Sequence, residues 1–97
     1  MDAKDLVRFA GTLRGKKFTT RARGTAFGVE VDGRGLIFTP VSSGQGRSEI
    51  ASRLQLVLDE FERTKSVKAG DYQQLSMNAS YILALLEAYR SHRLGAG

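Results

Sequence analysis

Ninety-seven residues make one domain around one core, too short for a cleft between two lobes; the apolar share of 41% is slightly under the globular norm, while 26% charged residues and a single proline argue against long disorder. The absence of cysteine excludes a disulfide scaffold, a thiolate metal site and a cysteine nucleophile together. The net charge of +5 is unevenly spread, because residues 1–48 hold nine bases against four acids and residues 49–97 hold six against six. Five of those bases (Arg14, Lys16, Lys17, Arg21 and Arg23) fall between positions 14 and 23 with no acid among them, which predicts a local positive field.

The opening MDAKDLVRF has two acids where a signal peptide carries bases. No apolar run approaches the roughly 20 residues of a membrane span. A cytoplasmic protein without membrane contact is the expectation. Asp2 to Leu13 reads as a short helix, with Leu6, Val7, Phe9, Ala10 and Leu13 at three- and four-residue spacing and Asp2 and Asp5 at its positive end. Gly15 breaks that pattern. Lys16 to Ala22 (KKFTTRA) alternates and is rich in threonine, as a strand would be, with Phe18, Thr20 and Ala22 on one face and Lys17, Thr19, Arg21 and Arg23 on the other.

After Gly24 a second strand, Thr25 to Val31, puts Phe27, Val29 and Val31 on one face. Asp32-Gly33 is a hairpin signal of the type I′ kind, which pairs Val29 with Leu36 and Phe27 with Phe38. A four-residue loop from Asp32 to Gly35 would instead pair Val31 with Leu36 and Val29 with Phe38, on the same face. Either way the hairpin from Thr25 to Pro40 lays Phe27, Val29, Leu36 and Phe38 on a surface that the rest of the chain must cover. Pro40 ends the third strand. The polar stretch Ser42-Ser43-Gly44-Gln45-Gly46-Arg47 then leads to Ser48, read as the N-cap of a helix whose apolar stripe is Ile50, Leu54, Val57, Leu58 and Phe61.

Thr64 to Gly70 reads as a linker, and Asp71 as the cap of a single turn holding Tyr72 and Leu75, with Tyr72 placed to anchor the linker to the core. Asn78 is the expected cap of a last helix, Ala79 to Arg93, apolar nearly all round and so in need of cover on more than one side. Gly95 is expected to stop it. The domain is therefore assigned to residues 1–94, with 95–97 as a frayed tail. The fold expected is α+β: a three-stranded antiparallel sheet with one helix before it and two after it (α-β-β-β-α-α), the helices packed on one face.

In element order, residues 2–63 resemble a double-stranded RNA-binding domain. That resemblance implies double-stranded RNA as a ligand and bases at the start of the second helix, where this chain has Ser48-Glu49-Ile50 and its first helical base at Arg53. A winged helix places its hairpin after the helix pair, whereas here the hairpin precedes it.

Two stretches carry candidate chemistry. Arg14, Lys16, Lys17, Arg21 and Arg23 offer a row of donors to phosphates along a DNA or RNA backbone, or else protect a sheet edge against aggregation. Ser42, Ser43 and Arg47, in a glycine-bearing loop before a helix N-terminus, could hold a single anion or simply connect strand to helix; the loop is neither a Walker loop nor GxGxxG. His92, near the end of the last helix, suits the helix dipole and needs no other role. With one histidine and no cysteine, no metal site and no cofactor are expected, and the usual groupings of acid, base and nucleophile are missing. The sequence thus points to a non-catalytic binding module for nucleic acid. The alternative is a protein-interaction module or homodimer in which Tyr81, Leu85 and Tyr89 of the last helix form a seam and the charge serves solubility. As residues at the core edge, the tyrosines need no such role.

Overall fold

The computed structural model describes residues 1–21 and 23–96. Helix α1 runs from Ala3 to Gly11. The Asp2 carboxylate caps it by accepting the Lys4 amide at 2.9 Å, and Ala3, Leu6 and Ala10 turn one buried stripe inward. At its end the Thr12 hydroxyl donates to the Phe9 carbonyl at 2.7 Å. Leu13, beyond the last turn, still reaches the core, and Gly15, with φ of 85°, turns the chain into the sheet.

The sheet has four antiparallel strands in the order β1-β2-β3-β4: Lys17–Thr19, Ala26–Asp32, Gly35–Pro40 and Arg47–Ile50. The first is shorter than its alternating sequence predicts. The Thr20 amide bonds to the Thr25 carbonyl at 3.0 Å and the Thr20 carbonyl receives Gly24 at 2.9 Å. The chain therefore already turns at Thr20, leaving Arg21 and Arg23 in a turn rather than on a strand face. Ala22 lies outside the described residues.

Between β2 and β3 the register is the one that pairs Val29 with Phe38 and Val31 with Leu36, closed by Asp32 opposite Gly35. Neither Gly33 nor Arg34, the two residues at the turn, has left-handed backbone, so the type I′ geometry expected at Asp32-Gly33 is not used. The Asp32 carboxylate instead accepts the Arg34 amide at 3.3 Å. Phe27, Val29, Leu36 and Phe38 are all buried as expected. Val31 shares their face but, at the hairpin end, is 48% exposed; a Cβ on Gly11 of α1 would stand 3.5 Å from its Cγ2.

The fourth strand corrects the expected three-stranded sheet. Arg47, Ser48, Glu49 and Ile50 pair with Phe38, Ile37, Leu36 and Gly35, and the Ala51 amide bonds to the Arg34 carbonyl at 2.9 Å. Helix α2 consequently begins only at Ala51 and ends at Thr64, with Ile50 at the cap position and no side-chain cap. Ser48 is a strand residue. Ile50, expected in the helical stripe, points outward and is 44% exposed, while Leu54, Val57, Leu58 and Phe61 are buried as expected.

A short 3-10 turn, Ala69–Tyr72, follows the linker. Tyr72 is fully buried and its hydroxyl donates to the Ser66 carbonyl at 2.6 Å, so it does anchor the linker. Helix α3 spans Ala79–Ala96; Gly95 does not end it. The Asn78 carbonyl receives the amides of Tyr81 and Ile82 at 3.0 Å, yet the Asn78 side chain does not cap this helix. It donates to the Ser48 carbonyl at 3.3 Å and to the Glu49 carboxylate at 3.4 Å.

That contact belongs to a polar cluster within the core. Glu49, Ser76 and Asn78 are each less than a tenth exposed. The Ser76 hydroxyl donates to Glu49 and accepts the Asn78 amide, which ties β4 to the start of α3. Buried polar atoms lose most when a partner disappears. Glu49→Ala is therefore expected to cost about 2–3 kcal/mol, and Glu49→Gln, which keeps an acceptor, about 1 kcal/mol; urea denaturation of both variants measures the difference.

The three helices cover one face of the sheet, with Phe27 at the centre: its ring lies 5.7 Å from Phe18, 6.0 Å from Phe38 and 4.9 Å from Tyr81. The other face is left open. Lys17, Thr19, Glu30 and Ser48 are exposed there. Ile37 is half-buried because the backbone of Gly46 crosses it so closely that a Cβ at position 46 would stand 2.8 Å from the Ile37 Cγ2.

Candidate nucleic-acid interface

The antiparallel order brings the two candidate stretches to one end of the sheet. Phe27 pairs with Pro40 and Phe38 with Arg47, and the Val41 amide bonds to the Ala26 carbonyl at 2.9 Å. The turn bearing Arg21 and Arg23, which precedes β2, is thereby neighbour to the loop bearing Ser42 and Ser43, which follows β3. Arg47 opens β4 at the same end. All five side chains are exposed.

Lys17 lies on the open face, its Nζ 3.4 Å from where a Cβ on Gly28 would be; the glycine leaves room for the lysine stem to cross β2. Arg14 and Lys16 belong to the turn between α1 and β1, at the other end of that strand. The expected row, with Lys17, Arg21 and Arg23 on one strand face and Arg14 and Lys16 beside it, therefore divides in two, with Lys17 between the halves. Arg21 is engaged: its guanidinium meets the Glu87 carboxylate of α3 at 3.1 Å. Among the described residues no carboxylate lies within ion-pair distance of Arg14, Lys16, Lys17, Arg23 or Arg47.

Of the two readings of the Ser42 to Ser48 loop, the anion cradle at a helix N-terminus is not formed. β4 separates the loop from α2, the Ala51 amide is taken by Arg34, and the Gly44 amide by Pro40. The Gln45 amide bonds to the Ser43 hydroxyl at 3.3 Å. Gly44, with φ of 66°, makes the bend that allows this. What the loop offers a ligand is the exposed hydroxyls of Ser42 and Ser43, the latter still free to donate, and the charge of Arg47.

Aromatic rings are absent from the open face. Phe18 packs on Phe27, and every phenylalanine and tyrosine is at least half-buried, so bases find no platform to stack on. Tyr81, Leu85 and Tyr89, which the alternative reading places at a dimer seam, are 9%, 0% and 8% exposed. Tyr81 stacks on Phe38 at 5.8 Å and Tyr89 tilts against Phe9 at 5.1 Å; these side chains close the core of a single chain. His92 lies 5.3 Å from the Phe9 ring on the surface.

The shifted titrations belong to solvated helix faces rather than to this surface. A hydrogen bond from Arg63 holds the Glu60 carboxyl below its ordinary range, and one from Lys65 does the same for Glu62. Among the described residues no three metal-ligating side chains gather, and no helix is long and apolar enough to cross a membrane. Sequence reasoning missed a cleft beside α3, lined by Phe61, Val67, Leu83 and Ala84 among others. Its one signal in the sequence was a last helix too apolar to be satisfied by a single covered side.

The fold and surface describe a small α+β domain with a four-stranded antiparallel sheet, one face of which is open and basic at one end. No protein-family model, curated protein or solved structure matches the chain.

Proposed function

We propose that the chain is a non-catalytic binding module that holds the phosphate backbone of DNA or RNA against the open face and basic end of its sheet. One observation carries this reading. Arg23 and Arg47 flank the same end of the sheet and Lys17 crosses its open face, and among the described residues no carboxylate lies within ion-pair distance of them. Solvated charges of this kind are favoured by counterion release when they meet phosphates. With no ring to stack and no helix presented to a groove, the contacts are with the backbone, so affinity should depend steeply on salt and little on base sequence.

Fluorescence polarisation with single- and double-stranded DNA and RNA tests this. Log affinity is expected to fall linearly with log salt, and Lys17→Gln, Arg23→Gln and Arg47→Gln together should flatten the slope by roughly 2 to 3 units, close to one per lost phosphate contact. Arg21→Gln should do less, since Glu87 already holds that guanidinium. Absence of binding at low salt, or a slope unmoved by the triple variant, would overturn the reading.

A further inference from the structure

Between the outer side of α3, the last turn of α2 and the linker lies a cleft of about 670 Å³, within the range of roughly 300–1,000 Å³ typical of small-molecule sites. The nucleic-acid surface uses no part of its floor. That floor is apolar: Phe61 from α2 and Leu83 and Ala84 from α3, with Val67 of the linker, 50% exposed, forming a wall. The wall is built rather than loose. Lys65 takes left-handed backbone with φ of 58° to leave α2, the Ser66 carbonyl is held by buried Tyr72, and the Ser66 hydroxyl bonds to Asp71 and receives the Lys68 amide. A cleft with fixed walls costs a ligand little reorganisation.

Its charge is one-sided. Arg21, Lys68 and Arg90 line it against a single acid, Glu87, and Glu87 is taken up by Arg21 at 3.1 Å. Lys68 and Arg90 therefore stand at the mouth with no carboxylate of their own among the described residues. The Arg90 guanidinium lies 5.4 Å from the centre of the Phe61 ring, next to the apolar floor and oriented by it. We propose that this cleft binds a small organic anion with an apolar body, a medium-chain carboxylate in its simplest form. The body covers Phe61, Leu83 and Ala84, and the carboxylate meets Arg90 and Lys68. A neutral ligand of the same size would leave the two cations unanswered, and a cationic one would be repelled.

Amide chemical-shift titration of the isotope-labelled protein with decanoate, decanol and decyltrimethylammonium, each kept below its micelle-forming concentration, separates these possibilities. Decanoate is expected to bind with shifts centred on residues 61, 67, 83, 84 and 90, decanol about tenfold more weakly, and the cation not at all. Lys68→Gln and Arg90→Gln should each weaken decanoate several-fold while leaving decanol unchanged, and Ala84→Phe should block both by filling the floor. Equal affinity for the three probes, shifts elsewhere on the molecule, or decanoate binding indifferent to Lys68→Gln and Arg90→Gln would overturn the proposal. The two surface glutamines keep the test decisive if Ala84→Phe fails to fold.

Discussion

Gly35→Ala is expected to cost about 3 kcal/mol, the upper part of the range for forcing atoms into a packed site, and to release β4 from the sheet. A Cβ at position 35 would lie deep inside the Glu49 carbonyl oxygen, 2.9 Å from the Ala51 nitrogen and 3.0 Å from the Ile50 Cα. All three are backbone atoms, so no rotamer change relieves the clash. β4 cannot simply shift, because Glu49 is held by Ser76 and Asn78 and Ala51 by Arg34. Displacement of the strand would strip a buried carboxylate of its partners and unseat the start of α2. Urea denaturation gives the magnitude, and hydrogen exchange at the amides of residues 47–50 shows where the opening lies. Gly33→Ala, with nothing within 4 Å of its Cβ, is the control and should stay within about 0.5 kcal/mol of the parent. Equal stability of the two variants would mean that β4 yields without resistance.

Phe27→Ala is expected to cost about 3–5 kcal/mol. The side chain is fully buried and joins rings from β1, β3 and α3, so the void would lie where sheet and helices meet and could not collapse from one side. In a domain whose total stability is on the order of 5–15 kcal/mol, that loss leaves a large unfolded fraction. Phe18→Ala, at a half-buried position on the short edge strand, should cost clearly less. A double-mutant cycle between Phe27 and Tyr81 is expected to show a coupling of roughly 0.5–1.5 kcal/mol beyond the separate losses. Calorimetry of the four proteins checks both statements, and a Phe27→Ala cost below that of Phe18→Ala would remove Phe27 from the centre of the core.

Much of the fold follows from side-chain period. Phe27, Val29, Leu36 and Phe38 alternate along two strands, and Leu54, Val57, Leu58 and Phe61 recur at helical spacing; these patterns hold in either hairpin register, which is why they were legible while the register was not. Short elements were harder to read. Arg47-Ser48-Glu49-Ile50 resembles a helix start because serine caps and glutamate suits the dipole, but a four-residue edge strand is stabilised by its neighbour rather than by its own composition. The inward-facing Glu49 hides the alternation further, being a charged residue in a core position that only Ser76 and Asn78, far along the chain, make tolerable. The basic cluster was visible as composition, but its geometry was not. Whether Arg21 is available depends on Glu87, sixty-six positions away, and no local pattern carries that pairing.

The sequence by itself determined the class of fold, the buried faces of the hairpin and of α2, and the excess of charge in the first half of the chain. These depend on local periodicity and on counting. Only the tertiary structure decided that β4 exists, that the turn after β1 and the loop after β3 share one end of the sheet, that Tyr81, Leu85 and Tyr89 close a core, and that Lys68 and Arg90 border an apolar cleft. Each of these depends on which distant segments pack together, and packing is set by the shape of the whole core rather than by any stretch of residues within it.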